Sequence, residues 1–231
     1  MIKFTFYGHA CFLIETVGKK MLFDPFISGN EAAKNIDINN IEADYIFISH
    51  GHGDHTVDLP EIAKRTGALC VAPAEISYWL EAKGIKNVHS MNHGGPISFD
   101  FGNVRGVQAV HSSSMADGTY AGNPMGFVFN TKDGNFYYAG DTALTMDMQL
   151  IPRWSKLDFS ILPIGGNFTM DVMDAIEACR FVQCNKVVGV HYNTFPPVQI
   201  NVVQAMESFM QAGIQLYLPI IGDTIEIETA S

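Results

Sequence analysis

Strand patterns dominate the first half of the chain: "MIKFTFY" alternates apolar and polar positions with a period of two, and "CFLIET" is β-branched and aromatic. "MIKFTFY" and "CFLIET" read as strands, and "VGKK" turns into a third, "MLFDPF". "DYIFISH" reads as a buried strand that stops where a histidine cluster begins. After it, "VDLPEIAKRTG" has helical spacing with Gly67 as its stop, followed by strand "ALCVAP" and helix "EISYWLEAKG". The middle returns to strands: "PISFDF", "VRGVQAVH", "MGFVFNT", a "KDGN" turn and "FYYAGD". In the last third the two types alternate: strand "FSILPI", helix "DVMDAIEACRFVQ", strand "KVVGVH", helix "NVVQAMESFMQAG" and a closing strand "IQLYLPI". No linker, low-complexity tract or repeat divides the chain, so residues 1–231 are expected to form one domain. Two β-rich halves with helices on their outer faces predict an α/β fold in four layers, αββα.

Composition agrees with a packed core and narrows the partners. Hydrophobic residues are 47% of the 231 and charged ones 16%, with a net charge of −10. That balance speaks against nucleic acid and against anionic membrane, both of which need clustered Lys and Arg. The longest apolar runs are interrupted, as at Gly8 and His9, so neither a signal peptide nor a stable membrane insertion is expected. Cys11, Cys70, Cys179 and Cys184 are scattered in apolar contexts and read as buried, reduced thiols of a cytoplasmic protein. The aromatic and Met-rich composition permits a homo-oligomer without requiring one.

The chemistry concentrates in "SHGHGDH", residues 49–55. Strand readings also run into His50, His111, Asp141 and His191, and ligands collect beyond strand ends in sheet-based enzymes. Seven groups result: His50, His52, Asp54, His55, His111, Asp141 and His191. One zinc ion needs three protein ligands plus water, so seven suit two ions sharing a bridge. His50 and His52 can serve one ion, and Asp54 and His55 can turn to a second. Imidazole with carboxylate suits zinc, manganese or iron. Gly51 and Gly53 are read as permitting a tight backbone. His89 and His93, in a strand and turn, read as structural or surface residues.

"HGHGDH", His111, the "GD" at 140–141 and His191 together resemble the ordered motifs of the metallo-β-lactamase superfamily over most of the chain. "YGHACFLIE", "LFDPFISGN", "HSSS", "PIGGNFTM" and "HYNTF" resemble its small, uncharacterised bacterial metal-dependent hydrolases. These are related to ascorbate-6-phosphate lactonases and N-acyl-phosphatidylethanolamine phospholipases. The resemblance implies the αββα sandwich and two divalent ions, with zinc the first choice. It implies that His50, His52 and His111 hold the first ion and Asp54, His55 and His191 the second, with Asp141 bridging. It further implies that Asp24 supports the histidine loop and that Asp54 orients the attacking water or carries its proton.

The expected activity is hydrolysis of a small ester, lactone or amide, with a phosphodiester as the alternative. A diiron redox centre and a metal-binding protein without catalysis rank behind these. No Gly-x-Ser-x-Gly elbow surrounds Ser112–Ser114, so no serine nucleophile competes. Substrate selection would fall to neighbouring loops, where His9, Asn167, Tyr192 and Asn193 are the candidate contacts.

Overall fold

The computed structural model describes residues 1–230. β1 (Ile2–Gly8), β2 (Cys11–Thr16) and β3 (Lys19–Phe23) form an antiparallel meander. β4 (Tyr45–Phe47), β5 (Leu69–Pro73) and β6 (Val88–Met91) extend the same sheet in parallel. A second sheet repeats the plan. β7 (Ile97–Phe99), β8 (Gly102–Gln108), β9 (Met125–Thr131) and β10 (Asn135–Tyr138) run antiparallel, and β11 (Phe159–Pro163), β12 (Lys186–Val190) and β13 (Gln215–Tyr217) follow in parallel.

The expected closing strand within "IQLYLPI" is β13, but the chain does not close there. β14 (Thr224–Ile227) crosses back and pairs with β1, giving seven strands in each sheet. Its exposed Thr224 and Glu226 leave little apolar signal, as befits an edge strand.

Side-chain alternation sets the layers. Phe12 and Ile14 of β2, Phe127 and Phe129 of β9, and Phe136 and Tyr138 of β10 point between the sheets into one core. Their neighbours Cys11, Leu13, Val128 and Tyr137 point outward. Phe23 and Phe47 meet Phe129 edge-to-face across the interface at 5.6 and 4.9 Å. Two short helices cover the outer face of the first sheet: α2 (Leu59–Thr66), stopped by Gly67 in the left-handed conformation, and α3 (Ala74–Ala82). α4 (Val172–Phe181) and α5 (Val202–Gln211), capped by Asp171 and Asn201, cover the second. The order is αββα, as expected. All four cysteines are buried and free. Among the described residues no helix is long and apolar enough to cross a membrane.

Candidate metal centre

Residues 9, 24, 50–55, 111, 141 and 191 all follow the C-terminal ends of strands, and the parallel geometry brings those ends to one rim of the sandwich. The strands stop earlier than the sequence pattern suggested. β4 ends at Phe47, β8 at Gln108 and β10 at Tyr138, so His50, His111 and Asp141 each lie three residues out on a loop. His191, like His9 and Asp24, follows its strand directly.

The "SHGHGDH" run is also more ordered than an irregular loop. It enters a one-turn helix, α1 (Gly53–Thr56), which carries Asp54 and buries His55. Gly51 is needed for space rather than for a special backbone angle. A Cβ there would collide with Ala121 and lie 2.8 Å from the Met115 sulfur, whereas one at Gly53 would meet little.

Gly140 is needed on both counts. Its φ is +63°, and a Cβ would come within 2.9 Å of Ser49 Cβ and of Met125 O. Gly140→Ala is therefore expected to cost about 2 kcal/mol, read as a melting point lower by about 4–8 °C.

The donors fall into two sets. One nitrogen from each of His50, His52 and His111 lies within 4.8 Å of the others, and so do single atoms of His9, Asp54, His55 and His191. Asp141 Oδ2 sits between the sets, 3.0 Å from His191 Nε2, 3.4 Å from His55 Nε2, 3.6 Å from His111 Nε2 and 4.0 Å from His50 Nε2.

Hydrogen bonds orient the rings. Asp24, fully buried, accepts from Ser49 N (2.8 Å), Ser49 Oγ (2.5 Å), His55 Nδ1 (2.9 Å) and Tyr138 OH (2.6 Å). His55 donates to it from Nδ1, which turns Nε2 toward Asp141. Ser49 spends its proton on Asp24, so His50 Nδ1 donates to Ser49 Oγ at 3.0 Å and its Nε2 is bare. Ser112 Oγ lies 3.3 Å from His52 Nε2, leaving Nδ1 to face the centre. This support of imidazoles through their far nitrogens is the arrangement metal-ligating histidines need.

The electrostatics suit cations. Burial pushes the pKa values of His50, His52 and His111 below the ordinary histidine value, so they are neutral near pH 7. Burial opposes charge on His55 too, but Asp141 and Asp24 outweigh it and raise that pKa well above the usual range. Asp141 is held ionised by His191 and His55 despite its burial. Positive charge is thus favoured at the heart of the cluster, yet no Lys or Arg there supplies it among the described residues. Asp141 Oδ1, His55 Nε2 and His191 Nδ1 are buried without hydrogen-bond partners. Unsatisfied donor atoms, buried carboxylates and neutral imidazoles together fit bound divalent cations.

The candidate substrate contacts are arranged differently from the expectation. His9 is buried to 1% exposure with both nitrogens engaged, to Asp54 Oδ2 (3.1 Å) and to Thr194 Oγ1 (2.9 Å), so its ring is turned to the cluster. Burial pushes its pKa down to about 4, against the pull of Asp54. Tyr192 is half-buried and stacks on Phe6, and Asn193 spends its Oδ1 on Ile200 N, bracing its own loop. Asn167 is exposed on the loop that Met170 N fastens to Thr142 O. The sequence reading passed over Val110, Tyr120, Phe168 and Phe195, exposed apolar residues on loops that carry or adjoin the cluster. His93 bonds Pro124 O and His89 packs on Phe99, both away from the centre.

His9, Asp24 and His191 hold left-handed backbone, with φ of +56°, +39° and +55°. Such residues cost of order 1–3 kcal/mol each and persist where the surroundings fix them.

A family model described as a β-lactamase superfamily domain matches residues 3–191. A UPF0173 metal-dependent hydrolase of Flavobacterium johnsoniae is 53% identical over 226 residues, 98% of this chain and 100% of that protein. Among solved structures, Igni18, a metallo hydrolase of the hyperthermophilic archaeon Ignicoccus hospitalis, has a TM-score of 0.87 at 33% identity over 97% of each chain. An isothiocyanate hydrolase from Delia radicum gut bacteria has a TM-score of 0.81, covering 99% of this chain and 100% of that one. At 17% identity, that likeness is one of fold.

Proposed function

Because the chain belongs to the metallo-β-lactamase superfamily, and within it to the UPF0173 metal-dependent hydrolases, we propose that it hydrolyses a small ester, lactone or amide at a two-ion centre. That it is a metal-dependent hydrolase follows from the family; the ion count and substrate class are the proposal. The observation that carries it is the position of Asp141 Oδ2 between two histidine sets.

His50, His52 and His111 would hold one ion, and Asp54, His55 and His191 the other, with Asp141 touching both and zinc the metal best suited to this mixture. Bound there, divalent ions supply Lewis acidity and lower the pKa of water toward neutrality. The remaining work falls to the chain. Asp54 is held ionised, its burial outweighed by the hydrogen bond from His9 and the charge of His55. With its side chain 32% exposed, it reaches the cleft and can accept a proton from the attacking water. Asp24 and Ser49 hold His55 and His50 in place as charge develops. Phe195, exposed and packed edge-on against His9, and Val110, exposed beside His111, suit the non-reacting part of a neutral or weakly charged substrate. A phosphodiester would be expected to meet Lys or Arg, and none pairs with the cluster among the described residues.

Purified protein equilibrated with zinc should carry about two equivalents and lose hydrolysis on chelation. It should turn over lactone, ester or amide probes faster than bis(p-nitrophenyl) phosphate. One equivalent would sink the two-ion reading, and a preference for the phosphodiester would sink the substrate class.

A further inference from the structure

His9 lies where a fifth donor to the second ion would stand, with Asp54, His55 and His191 around it. Its surroundings point elsewhere. Nε2 is 3.1 Å from Asp54 Oδ2, and Nδ1 is 2.9 Å from Thr194 Oγ1. An ionised carboxylate only accepts, so the ring proton is on Nε2. Nδ1 is then an acceptor, and the Thr194 hydroxyl donates to it. The other acceptor within reach of that hydroxyl, Tyr192 O, is farther at 3.4 Å. Phe26 and Phe195 stand edge-on to the imidazole at 5.5 and 5.4 Å, fixing its plane. The His9 carbonyl accepts from His191 N at 2.7 Å, so the same residue grips a second member of the set through its backbone.

We propose that His9 is a positioning residue and not a metal ligand. In a Thr194–His9–Asp54 chain of hydrogen bonds, it restrains Asp54 Oδ2 so that the other carboxylate oxygen is presented to the second ion. The chain bridges the two sheets: His9 sits in the β1–β2 turn of the first, and Thr194 follows β12 of the second. Partners of this kind change metal affinity by about 10–100-fold in other sites. The inference rests on the two-ion reading of the same centre.

Long-range 1H–15N correlation spectra should show His9 protonated at Nε2 and bare at Nδ1 in both zinc-loaded and chelator-treated protein. Loss of the Nε2 proton on zinc loading would make His9 a ligand and overturn the proposal. Thr194→Val removes only the hydroxyl. It should weaken binding of the second zinc equivalent about tenfold in competition with a chelating dye, leave the first unchanged, and be rescued by Thr194→Ser. His9→Gln, which keeps an N–H near the position of Nε2, should retain more of the second equivalent than His9→Ala. Undiminished second-site affinity in Thr194→Val overturns the proposal. A wild-type chain that takes one equivalent overturns the two-ion reading instead, while the tautomer still decides whether His9 donates to Asp54 or ligates.

Discussion

Asp141→Ala is expected to leave about one equivalent of tightly held zinc and to lower kcat/KM about a thousandfold or more, several kcal/mol of lost stabilisation. Asp141 Oδ2 lies within 4.0 Å of a nitrogen on His50, His55, His111 and His191. Removing it takes away the one carboxylate that faces both sets, leaving Asp54 with the second set and Asp24 bonded to His55 Nδ1. Because a small cavity would also form, Asp141→Asn is the control for volume. It should fold like the wild type and still bind the second equivalent poorly, since an amide oxygen lacks the charge that offsets two cations. Metal content after equilibrium dialysis, with hydrolysis of the best probe, reads both effects. Two equivalents and undiminished turnover in Asp141→Asn would show that Asp141 does not bridge.

Asp24→Asn is expected to have the largest effect on stability, about 3–5 kcal/mol, which for a chain of this length lowers the melting point by roughly 6–20 °C. Asp24 uses both oxygens as acceptors, one for Ser49 N and the other for Ser49 Oγ, His55 Nδ1 and Tyr138 OH. An amide offers one acceptor and turns an N–H toward donors, at a site with no water-accessible surface. Zinc affinity should fall as well, by about 10–100-fold, because His55 loses the partner that fixes its proton on Nδ1. Thermal melts of the metal-free protein separate the first effect from the second. A metal-free melting point within about 2 °C of wild type would mean that the Asp24 network contributes little to folding.

The sequence made the layers legible because apolar, aromatic and β-branched runs such as "CFLIET" are bounded by turn residues, whereas the faces taken by Phe12 and Ile14 against Cys11 and Leu13 are set by the pleat. It made the histidine cluster legible because six adjacent residues crowded with imidazole have little other use. What it hid was long-range. Asp24 reads locally as an aspartate before a proline, and its donors come from residues 25 to 114 positions away. His9 was a candidate substrate contact, but the groups that engage its two nitrogens, Asp54 and Thr194, are 45 and 185 positions distant. β14 was missed because only Ile227 in it is fully buried, and pairing with residues 2–5 cannot be seen from residues 224–227 alone. Strand ends were overextended at His111 and Asp141 because apolar loop residues such as Ala109 and Ala139 continue the hydrophobic pattern after the ladder has stopped.

The two donor sets each draw on both sheets. His50 and His52 follow β4 and face His111 beyond β8; Asp54 and His55 face His191 beyond β12. An ion in either set therefore fastens one half of the sandwich to the other, while the unfolded chain offers only the donors of residues 50–55. By mass action, such an ion at a free concentration a hundred times its dissociation constant adds up to about 2.7 kcal/mol to the folding free energy, less whatever the unfolded run binds. The durability of this enzyme is thus tied to the metal supply of its surroundings: in scarcity the chain loses, along with its chemistry, a clasp at the seam between its halves.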